Sequence, residues 1–225
     1  MRNKYMVGAH VSAADFRSLR RLWAADVPAL GAAKIARVNK NPTHRLYGLL
    51  RQRVVALAAA AAAPFRQGTS EIDESYFGPR RVRGQRGRGA AKKIPVIGLL
   101  KREGKVFTQI VPNCSKAELL SVIRDLVKRP AVIHTDGWKA YDGLVLDGFR
   151  HHRVHHSANE FARGRRHLNG IESCWSYAKT RLARKRGIRP GKFHEHLKET
   201  EWRGNHRREN LHSLLLKETR RLPLN

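Results

Sequence analysis

The feature that most constrains this chain is a change of hydrophobic period at Pro64. Before it, apolar residues recur at spacings of three and four, or close to them. The groups are Phe16, Leu19, Leu22 and Trp23; then Leu30, Ala33 and Ile35; then Leu46, Leu49, Leu50 and Val54. That period lines one face of a helix. Val27-Pro28 separates the first two helices, because proline suits a turn or a helix's first positions. The polar stretch Arg37-Val38-Asn39-Lys40-Asn41-Pro42 opens the third. The run Ala58 to Ala63 either extends that helix to Pro64 or is a low-complexity spacer. Three short helices with a tight turn before the last fit a helix-turn-helix, and also an ordinary three-helix bundle.

After Pro64 the apolar residues come in short runs. Glu71–Phe77, Ile94–Leu100 and Lys105–Val111 read as strands, the last two joined by Arg102-Glu103-Gly104. Ser115–Lys128 reads as a helix with Ser115 as N-cap and Leu119, Leu120, Ile123, Leu126 and Val127 on its apolar side. Ala131–Thr135 is a short apolar strand ending in Asp136-Gly137, Arg150–His155 a fifth strand, and Leu168–Arg186 a long helix. Three strands, a helix, two strands and a helix make an α/β domain in the order of an RNase H-like fold, with a mixed five-stranded sheet. The expected organisation is a helical region over 1–63, an α/β domain over 64–225, and a basic insertion at 79–93.

Charge says what such a chain handles. Of its 225 residues, 46 are Lys or Arg and only 18 are Asp or Glu, a formal charge of +28. An excess of that size points to a polyanionic partner. Apolar residues make up 41%, too many for a disordered basic tail. Cys114 and Cys174 are the only cysteines. They form neither a disulfide framework nor a Cys-rich zinc ribbon, which suits a reducing compartment. The first residues carry no apolar run of signal-peptide length, and no stretch reaches the roughly 18–20 apolar residues of a membrane span. The expectation is a soluble, intracellular, folded polyanion binder with no membrane partner; a ribosomal protein, a repressor and a nuclease all still qualify.

Acids are scarce, so their positions are informative. Asp73 lies inside the first strand of the α/β region. Asp136 follows the apolar strand at its carboxyl end, where open α/β sheets place ligands. Glu172 lies on the long helix, with 35 residues between it and Asp136. Phosphoryl transfer between nucleic-acid strands uses divalent ions, and two or three carboxylates suffice for Mg²⁺, which takes oxygen ligands and keeps several waters. Lys179 falls about 20° around the helix from Glu172 and about 10.5 Å further along it. The apolar stripe Leu168, Ile171, Trp175, Ala178 and Leu182 runs beside that line. With the stripe on the sheet, the carboxylate meets metals while the ammonium points at phosphates. Glu74 neighbours Asp73, but strand alternation sends it to the opposite face.

Four segments, Glu71-Ile-Asp-Glu-Ser-Tyr-Phe-Gly78, Arg86-Gly-Arg-Gly-Ala-Ala91, His134-Thr-Asp-Gly-Trp-Lys-Ala-Tyr141 and Asn169-Gly-Ile-Glu-Ser-Cys-Trp175, closely resemble the DDE insertion-sequence transposases of the ISXO-like family. The match looks nearest to its small members without a zinc ribbon and continues through Glu201-Trp-Arg-Gly-Asn-His-Arg207. The resemblance implies an RNase H-like catalytic domain in which Asp73, Asp136 and Glu172 form the metal-binding triad, holding two Mg²⁺ with Mn²⁺ as substitute. It makes Lys179 the basic residue seven positions after the glutamate. Some relatives use Asn as the third residue, so Asn169 is an accessory candidate. Gly204 stands where relatives often have an aromatic, a departure that loosens C-terminal packing.

The stretch from Pro79 to Lys93 carries Arg80, Arg81, Arg83, Arg86, Arg88, Lys92 and Lys93 among glycines and no acid. Arginines grip phosphate oxygens in bidentate fashion, so the stretch is a candidate for DNA contact that positions without reading sequence. Sequence reading falls to the third helix, where Asn41, Thr43, His44, Arg45 and Arg51 would enter a major groove while Asn39 and Lys40 touch phosphates. His151, His152, His155, His156 and His167 cluster on a strand and loop with no cysteine nearby. This speaks against zinc and for phosphate or the edge of the active site, with His167 beside the catalytic helix. Trp138 and Trp175 read as core. The leading expectation is a transposase that binds inverted-repeat ends and target double-stranded DNA, as at least a homodimer. A non-catalytic DNA-binding protein, such as a repressor or decayed copy, and a basic RNA-binding protein are the competing readings.

Overall fold

The computed structural model describes residues 3–61, 68–78, 93–101, 104–154, 168–185 and 187–225. They divide into two compact units: Met1–Ala59 with His206–Asn225, and Ala60–Asn205.

The first unit is helical. Helix α1 (Ala13–Ala24) starts at Ser12, whose hydroxyl oxygen accepts from the Asp15 amide at 3.0 Å, meeting one of the N–H groups a helix start leaves open. Helix α2 (Ala29–Ala36) starts at Pro28 and ends with Arg37 in the left-handed region, at φ 53°. Helix α3 (Lys40–Ala61) follows after two more residues and buries Leu46, Tyr47, Leu50 and Val54. The three expected helices form. Leu30 and Ile35 of α2, however, are 57% and 63% exposed, because the short helix buries only its Ala32–Ala33 side.

The C-terminal segment corrects one sequence expectation. The expected α/β domain over 64–225 includes residues 206–225, but these pack with the N-terminal helices. Helix α7 (Leu211–Arg221) lies against α1, with Arg20 and His212 Nε2 3.1 Å apart. The Arg53 guanidinium on α3 donates to the carbonyls of Leu222 at 2.7 Å and Pro223 at 3.1 Å. Leu224 bridges back to Met6. Leu215 of α7 and Leu224 are buried in the same unit, so apolar packing accompanies these polar ties.

The second unit is a five-stranded sheet in the order β3-β2-β1-β4-β5. Its strands are β1 (Gly68–Phe77), β2 (Ile94–Lys101), β3 (Val106–Ile110), β4 (Ala131–Asp136) and β5 (Arg150–Val154). The first three are antiparallel neighbours, and β4 and β5 run parallel to β1. This is the RNase H-like arrangement expected from the pattern. Alternation sorts the side chains. Ile72, Ile97, Leu99 and Ile133 face α4 (Lys116–Leu126), while Val96, Leu100 and Phe77 face α5 (Asn169–Ala183) and α6 (Pro190–Asn205).

Helix α6 buries Phe193 and Leu197 in the core it shares with α5, and it buries charge as well. Glu199 meets Arg181 at 2.6 Å and Arg203 at 3.0 Å. Glu201 meets Lys198 at 2.8 Å and accepts from the amide of Thr108 on β3 at 2.7 Å. Part of the C-terminal basic charge is therefore internal and neutralised. Among the described residues, no helix is long and apolar enough to cross a membrane.

Candidate active site

The site forms where β1 outruns β4. Pairing between these strands ends at Glu71 and His134, and two residues beyond on each come Asp73 and Asp136. Continuing the parallel register puts both carboxylates at one level at the open end of the sheet. Asp73 pairs with Gly98 across β2, on the α5 face. The approach there is close: a Cβ on Gly98 would lie 2.5 Å from Cζ2 of Trp175. The missing side chain lets Trp175 press on the sheet, and its indole N–H donates to Asp73 Oδ2 at 3.0 Å. Trp175 is therefore buried as expected and also tied to the candidate catalytic acid. Asp136 Oδ1 accepts from the Trp138 amide at 3.1 Å, which fixes that carboxylate just past the strand.

Glu74 also belongs here, against the expectation from alternation. One oxygen each from Asp73, Glu74 and Asp136 lies within 4.8 Å of the others. Glu74 does start on the face opposite Asp73, where Tyr141 donates to its Oε2 at 2.9 Å. Past the end of β4, however, no strand among the described residues separates the two faces on that side of β1, and carboxylates from both converge. Burial, then the Glu74 charge, raises the Tyr141 hydroxyl well above its ordinary value, so it stays a neutral donor.

Three acids so close disfavour ionisation. Asp73 is raised from 3.8 to about 6, chiefly by burial and next by the charge of Asp136, with Glu172 adding less; the Glu74 backbone and the Trp175 indole oppose the rise. The donor set is all hard oxygen, which fits Mg²⁺ or Mn²⁺.

Glu172 is exposed near the start of α5, outside the 4.8 Å cluster but close enough to act on Asp73 electrostatically. Lys179 is exposed further along the same helix, as is Asn169 at its first position. The stripe Leu168, Ile171, Trp175, Ala178 and Leu182 is buried. His167, His155 and His156 lie outside the described residues, as do Arg80, Arg81, Arg83, Arg86, Arg88 and Lys92; Lys93 is half-buried just before β2. His152 packs its ring against His134 at 5.3 Å, and His151 Nε2 lies 2.8 Å from the hydroxyl of Thr135.

In the helical unit, Asn39, Lys40, Asn41, His44 and Arg45 are exposed around the start of α3 and Arg51 is half-buried. Thr43 is not a groove residue: it is fully buried and its hydroxyl donates to the Asn39 carbonyl at 2.9 Å. Asn39 Oδ1 accepts from the Asn41 amide at 2.9 Å, so it also organises the helix start.

An uncharacterized transposase-like protein of Haemophilus influenzae is 42% identical over 101 residues, 45% of this chain and 81% of that protein. An uncharacterized protein in transposable element ISH50 of Halobacterium salinarum is 32% identical over 148 residues, 58% of this chain and 50% of that protein, so the chain spans only half of that relative. Among solved structures, the catalytic core domain of BIV integrase is 12% identical with a TM-score of 0.42, covering 67% of this chain and 94% of that one. The model of the ISXO2-like transposase domain matches residues 66–205, nearly the whole α/β unit and more than half of the sequence, and the chain belongs to that transposase family.

Proposed function

We propose that the protein is the transposase of a bacterial insertion sequence, which binds terminal inverted repeats and carries out divalent-metal-dependent strand cleavage and strand transfer. The observation that carries this is the convergence of Asp73, Glu74 and Asp136 within 4.8 Å at the open end of the sheet, in a chain with 46 basic residues and 18 acidic ones. Asp73 and Asp136 would hold the metals, with Glu172 completing the triad and Asn169 accessory. Two Mg²⁺ ions, or Mn²⁺ in their place, would supply activation of the attacking oxygen and charge neutralisation at the leaving one.

The protein's own groups do the rest. The indole of Trp175 and the amide of Trp138 fix the two aspartates before substrate arrives. Tyr141 keeps its proton and holds Glu74. Lys179 offers an ammonium to phosphate from α5. Water attacks first and the freed 3′-hydroxyl second, both as in-line displacements at phosphorus. The basic stretch over 79–93 grips the backbone, and Asn39, Lys40, Asn41, Arg45 and Arg51 of the helical unit contact the element end. Two ends must be held together, so the working form is at least a homodimer.

The test is cleavage and joining at a cognate end, with Mg²⁺ or Mn²⁺, for the full chain and for Asp136→Asn and Glu172→Gln. Both variants should lose activity and keep DNA binding. Activity retained in both would overturn the triad, and binding by the wild type without metal-dependent cutting would make the protein a repressor or a decayed copy.

A further inference from the structure

Glu71 is the first acid of β1 and is not one of the carboxylates that meet at the strand end. It lies two residues before Asp73, on the same face of the sheet, and is 2% exposed. Its Oε2 accepts from the backbone N–H of Ile171 at 2.9 Å. Ile171 is the third residue of α5, where the N–H has no acceptor within the helix and normally relies on an N-cap side chain. The N-cap here is Leu168, which has no polar side chain to offer. The neighbouring strand supplies the acceptor instead. The approach leaves no slack: a Cβ on Gly170 would lie 2.9 Å and 3.3 Å from the two Glu71 oxygens and 2.4 Å from Leu100 Cδ2.

One turn later, the same helix is tied to the same strand by the Trp175 indole on Asp73. Glu172 falls between these two ties. Bonds from residues 71 and 73 to residues 171 and 175 fix both the height of α5 over the sheet and its rotation. We infer that Glu71 is a positioning residue for the metal site, setting where Glu172 stands relative to Asp73 and Asp136. This rests on the divalent-metal reading above and assigns the buried acid of the Glu-Ile-Asp-Glu segment a role in it.

The test is Mn²⁺ affinity of the full chain, by electron paramagnetic resonance, for wild type, Glu71→Ala, Glu71→Asp, Glu71→Gln, Glu172→Gln and the Glu71→Ala/Glu172→Gln double variant. Glu71→Asp keeps the charge but withdraws the acceptor, and Glu71→Gln keeps an acceptor of the same length. The alanine and aspartate variants should weaken Mn²⁺ binding about 10–100-fold, as loss of a ligand-orienting partner does, and the glutamine should restore it. Added to Glu172→Gln, the alanine change should cost nothing more. Hydrogen exchange at the Ile171 amide should speed up in Glu71→Asp in the metal-free protein. Wild-type Mn²⁺ binding or wild-type Ile171 protection in Glu71→Asp, or an additive loss in the double variant, would overturn the inference. A wild type that binds Mn²⁺ yet cuts no DNA would overturn the functional reading alone, and one that binds no Mn²⁺ would overturn both.

Discussion

Replacing Asp73 by Asn should make the metal-free protein more stable at neutral pH. In the folded state the carboxyl is raised from 3.8 to about 6, first by burial and then by Asp136. It binds its proton more tightly folded than unfolded, so folding takes up a proton between roughly pH 4 and 6. Stability therefore falls as pH rises through that window, and above it the folded chain carries an anion that its surroundings disfavour. The move from 3.8 to about 6 corresponds to about 3 kcal/mol. Exposed Glu172 contributes part of this and is screened by water, so about 1–3 kcal/mol is expected. Asn carries no charge, and its amide oxygen can still accept from the Trp175 indole. In a unit the size of Ala60–Asn205, the gain is about 2–10 °C in melting temperature. The assay is thermal melting with a chelator at pH 7.5 and again near pH 4, where the two proteins should converge. Adding Mg²⁺ should raise the wild type more than the variant, because ligand binding to the native state alone stabilises by mass action. Equal or lower stability of the variant at pH 7.5, or a gain independent of pH, would refute the reasoning.

Three further outcomes follow from the packing around α5 and α6. Trp175→Phe keeps a ring over Gly98 but removes the hydrogen bond that lowers Asp73, so the acid limb of the cleavage profile should move to higher pH; an unmoved limb counts against it. Gly98→Ala places a Cβ 2.5 Å from the Trp175 ring and 3.0 Å from Ile171 Cδ1, which should cost about 1–3 kcal/mol in urea unfolding and weaken Mn²⁺ binding. Glu199→Ala removes the carboxylate shared by the guanidiniums of Arg181 and Arg203, both almost inaccessible, and should cost about 3–5 kcal/mol. Glu195→Ala, whose partner Lys192 is exposed, should cost less than about 1 kcal/mol, and similar losses in the two would show that the buried network is not what holds α6.

Strands β1 to β4 and helices α1, α3, α4 and α5 were legible because they are built on apolar period, which α2 and β5 follow only weakly. Ile72, Ile97 and Leu99 against α4, and the Leu168-to-Leu182 stripe against the other face, follow from spacing alone. Asp73 and Asp136 were legible because each sits at a strand position with a chemical reason, in a chain with few acids. Glu74 was misread because alternation assigns a face but not what happens past a neighbouring strand's end. Glu71 was passed over because a buried acid within a strand carries no periodic signal; only the glycine one residue before Ile171 marks the close approach. Thr43 looked like a groove residue by its place in the first turn, yet its hydroxyl satisfies the chain's own carbonyl. The buried ion pairs of α6 and the backbone acceptors that Arg53 finds at residues 222 and 223 are ties that a hydropathy pattern does not record.

The distribution of the acids sharpens what the net charge means. None occurs between Val27 and Ser70, across α2 and α3, or between Ser75 and Arg102, across the basic stretch at 79–93. Those two segments are the ones proposed to lie on DNA, and an acid there would repel phosphate without a partner to offset it. Glu71, Glu199 and Glu201, by contrast, are buried and fasten α5 and α6 to one another and to the sheet. Asp73, Glu74 and Asp136 crowd together where β4 ends beside β1, at a cost that raises Asp73 to about 6. Phosphate drawn in by the basic segments would add to that repulsion. In the proposed reaction the divalent cation is thus the group that lets the two negative partners, carboxylates and phosphodiester, occupy one place. DNA and metal should then bind with positive and reciprocal coupling. In that proposal the basic excess would draw DNA in, and the crowded acids would make its binding and the metal's one event.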